Sequence, residues 1–355
     1  MATIYVASTE TFVGKSAICA VLLDYYRGQG RSVGYMKPVS VAVAQTEQGA
    51  LDQDAQLMRE MFELRETPEQ IAPVLATTRV VESVLRGEAA DFRSRLQNAY
   101  QAVSAGKDVV VLEGANTWAE GALLGLSADQ VSDILDAPVL LINRFRSTSA
   151  VDIIVAVQRY LGQRLIGVIL NQVFPSQIDY VRSTVVPFLE KSNVPVLGIV
   201  PHDAQTEAAT VRDVIEQIGG QVIGDGDRTR LVENLSIGAM SAEAALSYFR
   251  RKPNKVVVTG GDRADIAMAA LETSTSCVIL TGNLRPAATV MSRATERNVP
   301  LVLTPEDTLS TVQRLEALMG HLRFGGAKRE RFHTLAANSI DWARLTQLLQ
   351  MSPPS

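Results

Sequence analysis

The chain has 355 residues and a formal net charge of −4, with 46% hydrophobic and 20% charged residues. It is too long for one ordinary core and too apolar for a disordered chain, so two folded domains are expected. The mild acidic balance gives no electrostatic reason to expect nucleic acid or an anionic membrane as partner, and no run approaches the ~18 apolar residues of a membrane span.

In chain order, short apolar runs alternate with longer amphipathic stretches. The predicted strands of the first series are 3–8, 32–39, 108–114, 138–144, 165–172 and 194–201. Helix-like stretches cover 15–28, 52–63, 90–105, 148–161 and 176–191. The strands read as continuous apolar runs, as buried parallel strands do, and the alternation implies a doubly wound, mostly parallel α/β sheet. A break at "PHDAQT" (201–206) precedes a second, smaller α/β series. Its strands are 221–224, 255–260, 277–282 and 299–305, and its helices 206–218, 241–250, 263–273, 287–297 and 308–320. A basic segment from 326 leads to a final amphipathic helix, 339–350. The apolar stripe of that helix (Ile340, Trp342, Leu345, Leu348, Leu349) needs a cover from a domain or a partner. The expected boundaries are therefore 1–205, 206–325 and 326–355.

The N-terminus opens directly into a strand with no signal-like segment, so a cytoplasmic protein is expected. The two cysteines, Cys19 and Cys277, sit in apolar runs and are expected to be buried small hydrophobes, with no disulfide framework or zinc site.

The strongest local signal is "STETFVGKSAICAVLLDYY" (8–26): a strand end, a turn, then Gly14-Lys15-Ser16 opening a helix. Phosphates suit this arrangement because a helix N-terminus presents unpaired N–H groups and a partial positive charge. Gly14 lets the backbone approach closely, Lys15 would reach the β/γ-phosphates, and the Ser16 hydroxyl would ligate Mg²⁺. Glu113, closing an apolar strand in "VVVLEGANTW", has the place of a second Mg²⁺-side acid. "GYMKPVS" (34–40) and "DQDA" (52–55) add Lys37 and Asp54.

These strings resemble dethiobiotin synthetase. Residues 8–16 are similar to its G-T-D-T-x-V-G-K-[ST] loop, and "KPVS" to its K-P-V segment. "DQDA" is similar to its S-D-A, "LEGAN" to E-G-A-G, "VILNQ" (168–172) to the strand whose Asn reads adenine, and "PVLGIVPHD" to its L-G-x-I-P ending. The resemblance covers roughly 1–205; Ser8, Glu10 and Asn116 depart from the family's Gly, Asp and Gly. It implies ATP, or another purine nucleotide, with Mg²⁺ as cofactors. Lys15 and Lys37 would handle the transferring phosphate. Thr11, Val13, Gly14, Lys15, Ser16 and Ala17 would line the nucleotide, and Asn171 would hydrogen-bond the purine. Ser16, Asp54 and Glu113 would serve the metal.

Downstream, "VVVTGGDRADIAMAAL" (256–271), "VILTGNLRPA" (278–287) and "VPLVLTPEDTLSTVQRLE" (299–316) resemble the DRTGG domain. That domain sits between a dethiobiotin-synthetase-like region and the catalytic region of long phosphate acetyltransferases. In "TGGDR", Asp262 suits a helix N-cap; Arg263 with the turn's N–H groups could hold an anion or ligand, and the alternative is simply a capped turn plus an ion pair. Asp307 reads as an N-cap. An acetyltransferase catalytic domain would need roughly another 300 residues, so acetyl transfer is not expected of this sequence. No cysteine nucleophile on a strand–turn–helix elbow points to an amidotransferase. The expectation is a Mg·ATP-binding regulatory or sensor protein, whose DRTGG-like region binds an effector or pairs two chains into a dimer. The alternative is an ATP-dependent ligase that phosphorylates a carboxylate or carbamate.

Overall fold

The computed structural model describes residues 1–11, 13–41, 43–46, 49–88, 90–203, 206, 209–320 and 326–351. Parts of the expected break near 201–206, of the expected helix 206–218, of the linker after 320 and of the last residues lie outside them. The chain divides into two compact units, Met1–His202 with Arg329–Ser355, and Asp203–Lys328.

In the first unit, six strands form one sheet in the order Val196–Pro201, Leu165–Val173, Val139–Arg144, Ala2–Ser8, Val109–Glu113, Val33–Met36. Every neighbouring pair is parallel. The chain winds first to one side of Ala2–Ser8 and then to the other. The winding therefore reverses at the carboxyl end of Ala2–Ser8, where open α/β sheets place ligands. All five residues of Val109–Glu113 are buried, four of them apolar as a strand covered on both faces requires, with Glu113 at its carboxyl end.

The expected strand 32–39 is cut short at Met36. There the Lys37 N–H leaves the sheet and donates to Ile71 O at 2.7 Å. An antiparallel strand pair, Val43–Thr46 with Gly49–Asp52, and a helix, Thr78–Leu85, occupy stretches with no predicted element.

The tail belongs to this unit. Leu345 is wholly buried, Ile340 and Leu349 nearly so, and Trp342 stacks on Tyr25 with ring centres 3.8 Å apart. Arg344 clasps Glu190 with two bonds of 2.7 and 2.8 Å, and Ile340 bridges Gly198 at the sheet edge. The apolar stripe is thus covered by the chain's own first unit, and it needs no second chain.

In the second unit the sheet order is Gln221–Ile223, Leu301–Leu303, Thr275–Thr281, Lys255–Gly260, Asn234–Ile237. Only the first strand runs antiparallel to its neighbour. Alternate residues feed two cores. Val257 packs among Phe249, Ile266 and Leu280, while Val256 and Val258 pack with Cys277, Ile279 and Val302. The edge strand Asn234–Ile237 was not predicted, since Asn234 and Ser236 interrupt its apolar pattern. The helix expected from 206 begins at Val211, where Thr210 and Asp213 form a reciprocal capping box.

Lys255 is a wholly buried lysine in this unit. Its Nζ donates to Ser274 O at 2.8 Å and lies 5.6 Å from the Phe249 ring centre, with no carboxylate partner among the described residues. Burial pulls its pKa down from 10.5 to about 8. Between those values the unfolded chain holds a proton that the folded chain has released, so stability rises with pH. The unfolding midpoint of the second unit is expected to climb between pH 8 and 10 in the wild type and to lose that climb in Lys255→Met. Parallel pH profiles for the two proteins would refute this account of Lys255.

Candidate nucleotide site

The strand Ala2–Ser8 is followed by turn residues at 9–11 and 13–14, and then by the helix Lys15–Gly28. Gly14 adopts φ +82°, and a Cβ there would stand 2.6 Å from Asn171 Nδ2, so both conformation and space select glycine. Side chains of two other strands pin the turn, and the last residue of Ala2–Ser8 ties its end to a third segment. Asn143 Nδ2 donates to Thr9 Oγ at 3.0 Å, Asn171 Nδ2 donates to Val13 O at 2.7 Å, and Ser8 Oγ donates to Asn116 O at 2.7 Å. Thr11 is exposed on the turn, while Val13 and Ala17 are buried beneath it. Glu10 accepts from Arg144 Nε at 3.1 Å.

Lys15 is half-buried and makes no hydrogen bond or ion pair among the described residues. Burial pushes its pKa below 10.5; Glu113 opposes that shift and Lys37 adds to it. Ser16 Oγ donates to Glu113 Oε1 at 2.6 Å, and Tyr35 OH donates to Glu113 Oε2 at 2.8 Å. Burial, with the Glu113 charge beside it, holds the Tyr35 hydroxyl well above its ordinary pKa, so it stays a donor.

Lys37 Nζ lies 2.7 Å from Asp52 Oδ2 and 3.6 Å from Asp54 Oδ2. Burial alone would lower its pKa, but Glu113, Asp52 and Asp54 together raise it, and Lys37 remains a cation. Asp52 also accepts from Ser40 Oγ and caps the helix Gln53–Met61 through Ala55 N–H.

The fold thus brings Lys15, Ser16, Lys37, Asp54 and Glu113 into one neighbourhood. Ser16, Glu113 and Asp54 supply hydroxyl and carboxylate oxygens, a donor set that fits Mg²⁺. Three participants were missed in the sequence: Tyr35, Asp52 and Asn143. Asp52 sits two residues before Asp54 in "DQDA" and carried a signal; Tyr35 and Asn143 lie inside apolar strands and carried none.

Asn171 is buried, its Nδ2 donates to Val13 O, and its Oδ1 has no hydrogen-bond partner among the described residues. In the second unit, Arg263 is spent on Asp265 and Met240 O. A Cβ on Gly261 would stand 1.9 Å from Leu284 O, so the chain's own loop fills this turn, and the ion-pair alternative is the one the Arg263–Asp265 contact matches. Arg263, not Asp262, occupies the N-cap position of Ala264–Leu271, without a side-chain cap. Asp307 does cap its helix, accepting from Ser310 N–H at 2.9 Å.

Two family models match the chain: an AAA domain over residues 2–210, more than half its length, and a DRTGG domain over residues 213–318. The chain belongs to the AAA domain family. This AAA domain protein is 23% identical over 343 residues to phosphate acetyltransferase of Synechocystis sp., covering 89% of its own length and 47% of that relative. With the phosphate acetyltransferase of Pseudomonas aeruginosa it shares 25% identity over 390 residues, covering 100% and 54% of the two chains. The chain spans about half the length of these relatives. It is 27% identical over 216 residues to the ATP-dependent dethiobiotin synthetase BioD of Pseudomonas aeruginosa, covering 59% of its own length and 94% of that protein. A P-loop domain fused to a DRTGG domain, related to the N-terminal region of phosphate acetyltransferases, is the architecture. Among the described residues no helix is long and apolar enough to cross a membrane.

Proposed function

We propose that this AAA domain protein binds Mg²⁺-complexed ATP at Gly14-Lys15-Ser16 and serves as a cytoplasmic regulatory or sensor protein, with residues 203–328 taking an effector or pairing two chains. The observation that carries the reading is Lys15. A half-buried cation with no hydrogen bond or ion pair among the described residues, on the first turn of a helix where the sheet's winding reverses, is explained by an anionic ligand. When bound, Mg²⁺ would neutralise phosphate charge, and Ser16, Glu113 and Asp54 would hold it. Lys15 and Lys37 would position and stabilise the phosphates electrostatically. Titration of the purified protein with nucleotides, with the bound species identified by mass spectrometry, tests this; no bound nucleotide at millimolar concentration refutes it.

Lys37 favours a second reading, an ATP-dependent ligase. A second lysine held charged beside the first by Asp52 and Asp54 is more than tethering a nucleotide requires. Incubation with ATP, bicarbonate and diaminopelargonate, followed by product analysis, separates the two: a ring-closed ureido product establishes the ligase, and its absence with nucleotide bound leaves the sensor.

The purine-reading role of Asn171 is supported by the likeness of "VILNQ" to the strand whose Asn reads adenine, an amide offering both a donor and an acceptor. Asn171→Ala is expected to weaken ATP and GTP binding alike, by loosening the turn at Val13, and also to narrow the ATP-over-GTP ratio. Fluorescence titrations showing an unchanged ratio would remove Asn171 as base reader.

Pairing through the second unit is supported by Leu284 and Leu309, 48% and 68% exposed, and by the prevalence of twofold homo-oligomers. Light scattering is expected to give twice the 38.4 kDa chain mass; a monomer mass at tens of micromolar would exclude the dimer.

A further inference from the structure

The strand Leu165–Val173 carries one residue more than its ladder needs. On one side it pairs with Val139–Arg144 as far as Asn171, whose carbonyl then accepts the Phe145 N–H at 3.1 Å. On the other side Leu170 lies opposite Ile199 and Val173 opposite Pro201, so three steps along this strand match two along Val196–Pro201. The extra residue falls at 171–172, a β-bulge. The core records the same insertion. Val168 and Leu170 pack in one hydrophobic cluster, and strict alternation would send residue 172 there next; Val173 packs there instead. Removing one residue would leave Val173 on the core face and make the ladder regular, so the core does not call for the bulge.

Gln172 is where the insertion is made. Its φ is +56° and it is 7% exposed. A buried residue with a Cβ in the left-handed region is uncommon, and the structure around it has to hold it there. Beside it stands Asn171, whose Nδ2 donates to Val13 O at 2.7 Å and would lie 2.6 Å from a Cβ on Gly14. That tie spans 158 residues and tolerates little displacement. A bulge bends its strand and raises the local twist, and so re-aims the adjoining side chain.

We infer that the left-handed Gln172 is a positioning residue: its bulge turns the Asn171 amide onto Val13 and Gly14, and so sets how that turn, and the base of a bound purine nucleotide, are held. This role rests on the nucleotide reading of Asn171 proposed above and adds to it the residue that aims the amide. The backbone conformation carries the effect, not the glutamine amide. Residues that accept positive φ should therefore replace Gln172, and residues that resist it should not.

The test uses the full chain, labelled with ¹⁵N at asparagine. The Asn171 side-chain amide is assigned by its loss in Asn171→Ala, and each protein is then titrated with ATP and with GTP in the presence of Mg²⁺. Gln172→Gly and Gln172→Asn are expected to keep the wild-type amide resonance, its slow solvent exchange and the ATP-over-GTP ratio. Gln172→Val, and deletion of Gln172, are expected to shift the resonance and speed its exchange. Both should lower ATP affinity about fivefold or more, and narrow the ATP-over-GTP ratio as Asn171→Ala does. Asn171→Ala combined with Gln172→Val should bind no more weakly than Asn171→Ala alone, because the two act through one contact. The deletion decides should Gln172→Val fail to fold. A Gln172→Gly protein as defective as Gln172→Val would assign the effect to the side chain and overturn the proposal. An unchanged Asn171 resonance in the folded valine and deletion variants would overturn it too, as would additive losses in the double variant. If the wild type binds no nucleotide, the nucleotide reading falls by itself, and the amide resonance alone decides whether Gln172 positions Asn171.

Discussion

Lys15→Ala is expected to lower affinity for Mg²⁺-complexed ATP by roughly 30- to 150-fold, the ~2–3 kcal/mol of a charge-assisted hydrogen bond lost from a desolvated site. The fold should survive, because Lys15 holds no protein partner among the described residues. Its charge is a liability without a ligand: burial holds its pKa below 10.5, so just below pH 10.5 the folded chain has released a proton the unfolded chain retains. Stability of the wild type therefore rises with pH there, and bound phosphates should cancel the rise by favouring the ammonium form. The alanine variant should show neither behaviour and should melt no lower than wild type at neutral pH. Calorimetric titration and pH-dependent melting check both halves. A variant that binds ATP as well as wild type would defeat the P-loop reading outright.

Glu113→Gln should strike the metal rather than the nucleotide. Both carboxylate oxygens are engaged, by Ser16 Oγ and by Tyr35 OH, so the shape-conserving amide keeps the packing. The two hydroxyls can turn to suit an amide, and the cost to folding is about 1 kcal/mol. The negative charge is what disappears. The gain in ATP affinity that Mg²⁺ confers is expected to fall about tenfold or more, ~1.4 kcal/mol, while ATP in EDTA binds as well or better because a repelling carboxylate is gone. Asp54→Asn should act in the same direction and less strongly, since its side chain is 36% exposed and lies 3.6 Å from Lys37. Mg²⁺ titration curves that coincide with wild type in both variants would take these carboxylates out of the metal site.

Much of the first unit was legible because its determinants are local. A buried parallel strand needs a continuous apolar run, and a phosphate-binding helix start needs glycine, lysine and a hydroxyl in succession. Both requirements act within ten residues, so 3–8 with 14–16 announced the site and 108–114 placed Glu113 at a strand end. Elements whose stability comes from neighbours left weaker traces. The edge strand Asn234–Ile237 is polar at alternate positions, and the strands Val43–Thr46 and Gly49–Asp52 are held by antiparallel pairing with each other.

What the sequence by itself determined was the α/β alternation, the Gly14-Lys15-Ser16 helix start, and the candidacy of Lys37, Asp54, Glu113 and Asn171. Only the tertiary structure decided what each of these groups touches. It set Tyr35 against Glu113 across 78 residues, Thr9 against Asn143 across 134, and Lys37 against Asp52 ahead of Asp54. It spent the Asn171 amide on the turn at Val13, closed the Gly261 turn with Leu284, and laid the tail stripe on the first unit's own surface. Periodicity and spacing report which face of an element is apolar and where a chain can turn. Which donor meets which acceptor depends on distances set only when strands far apart in sequence come to lie side by side.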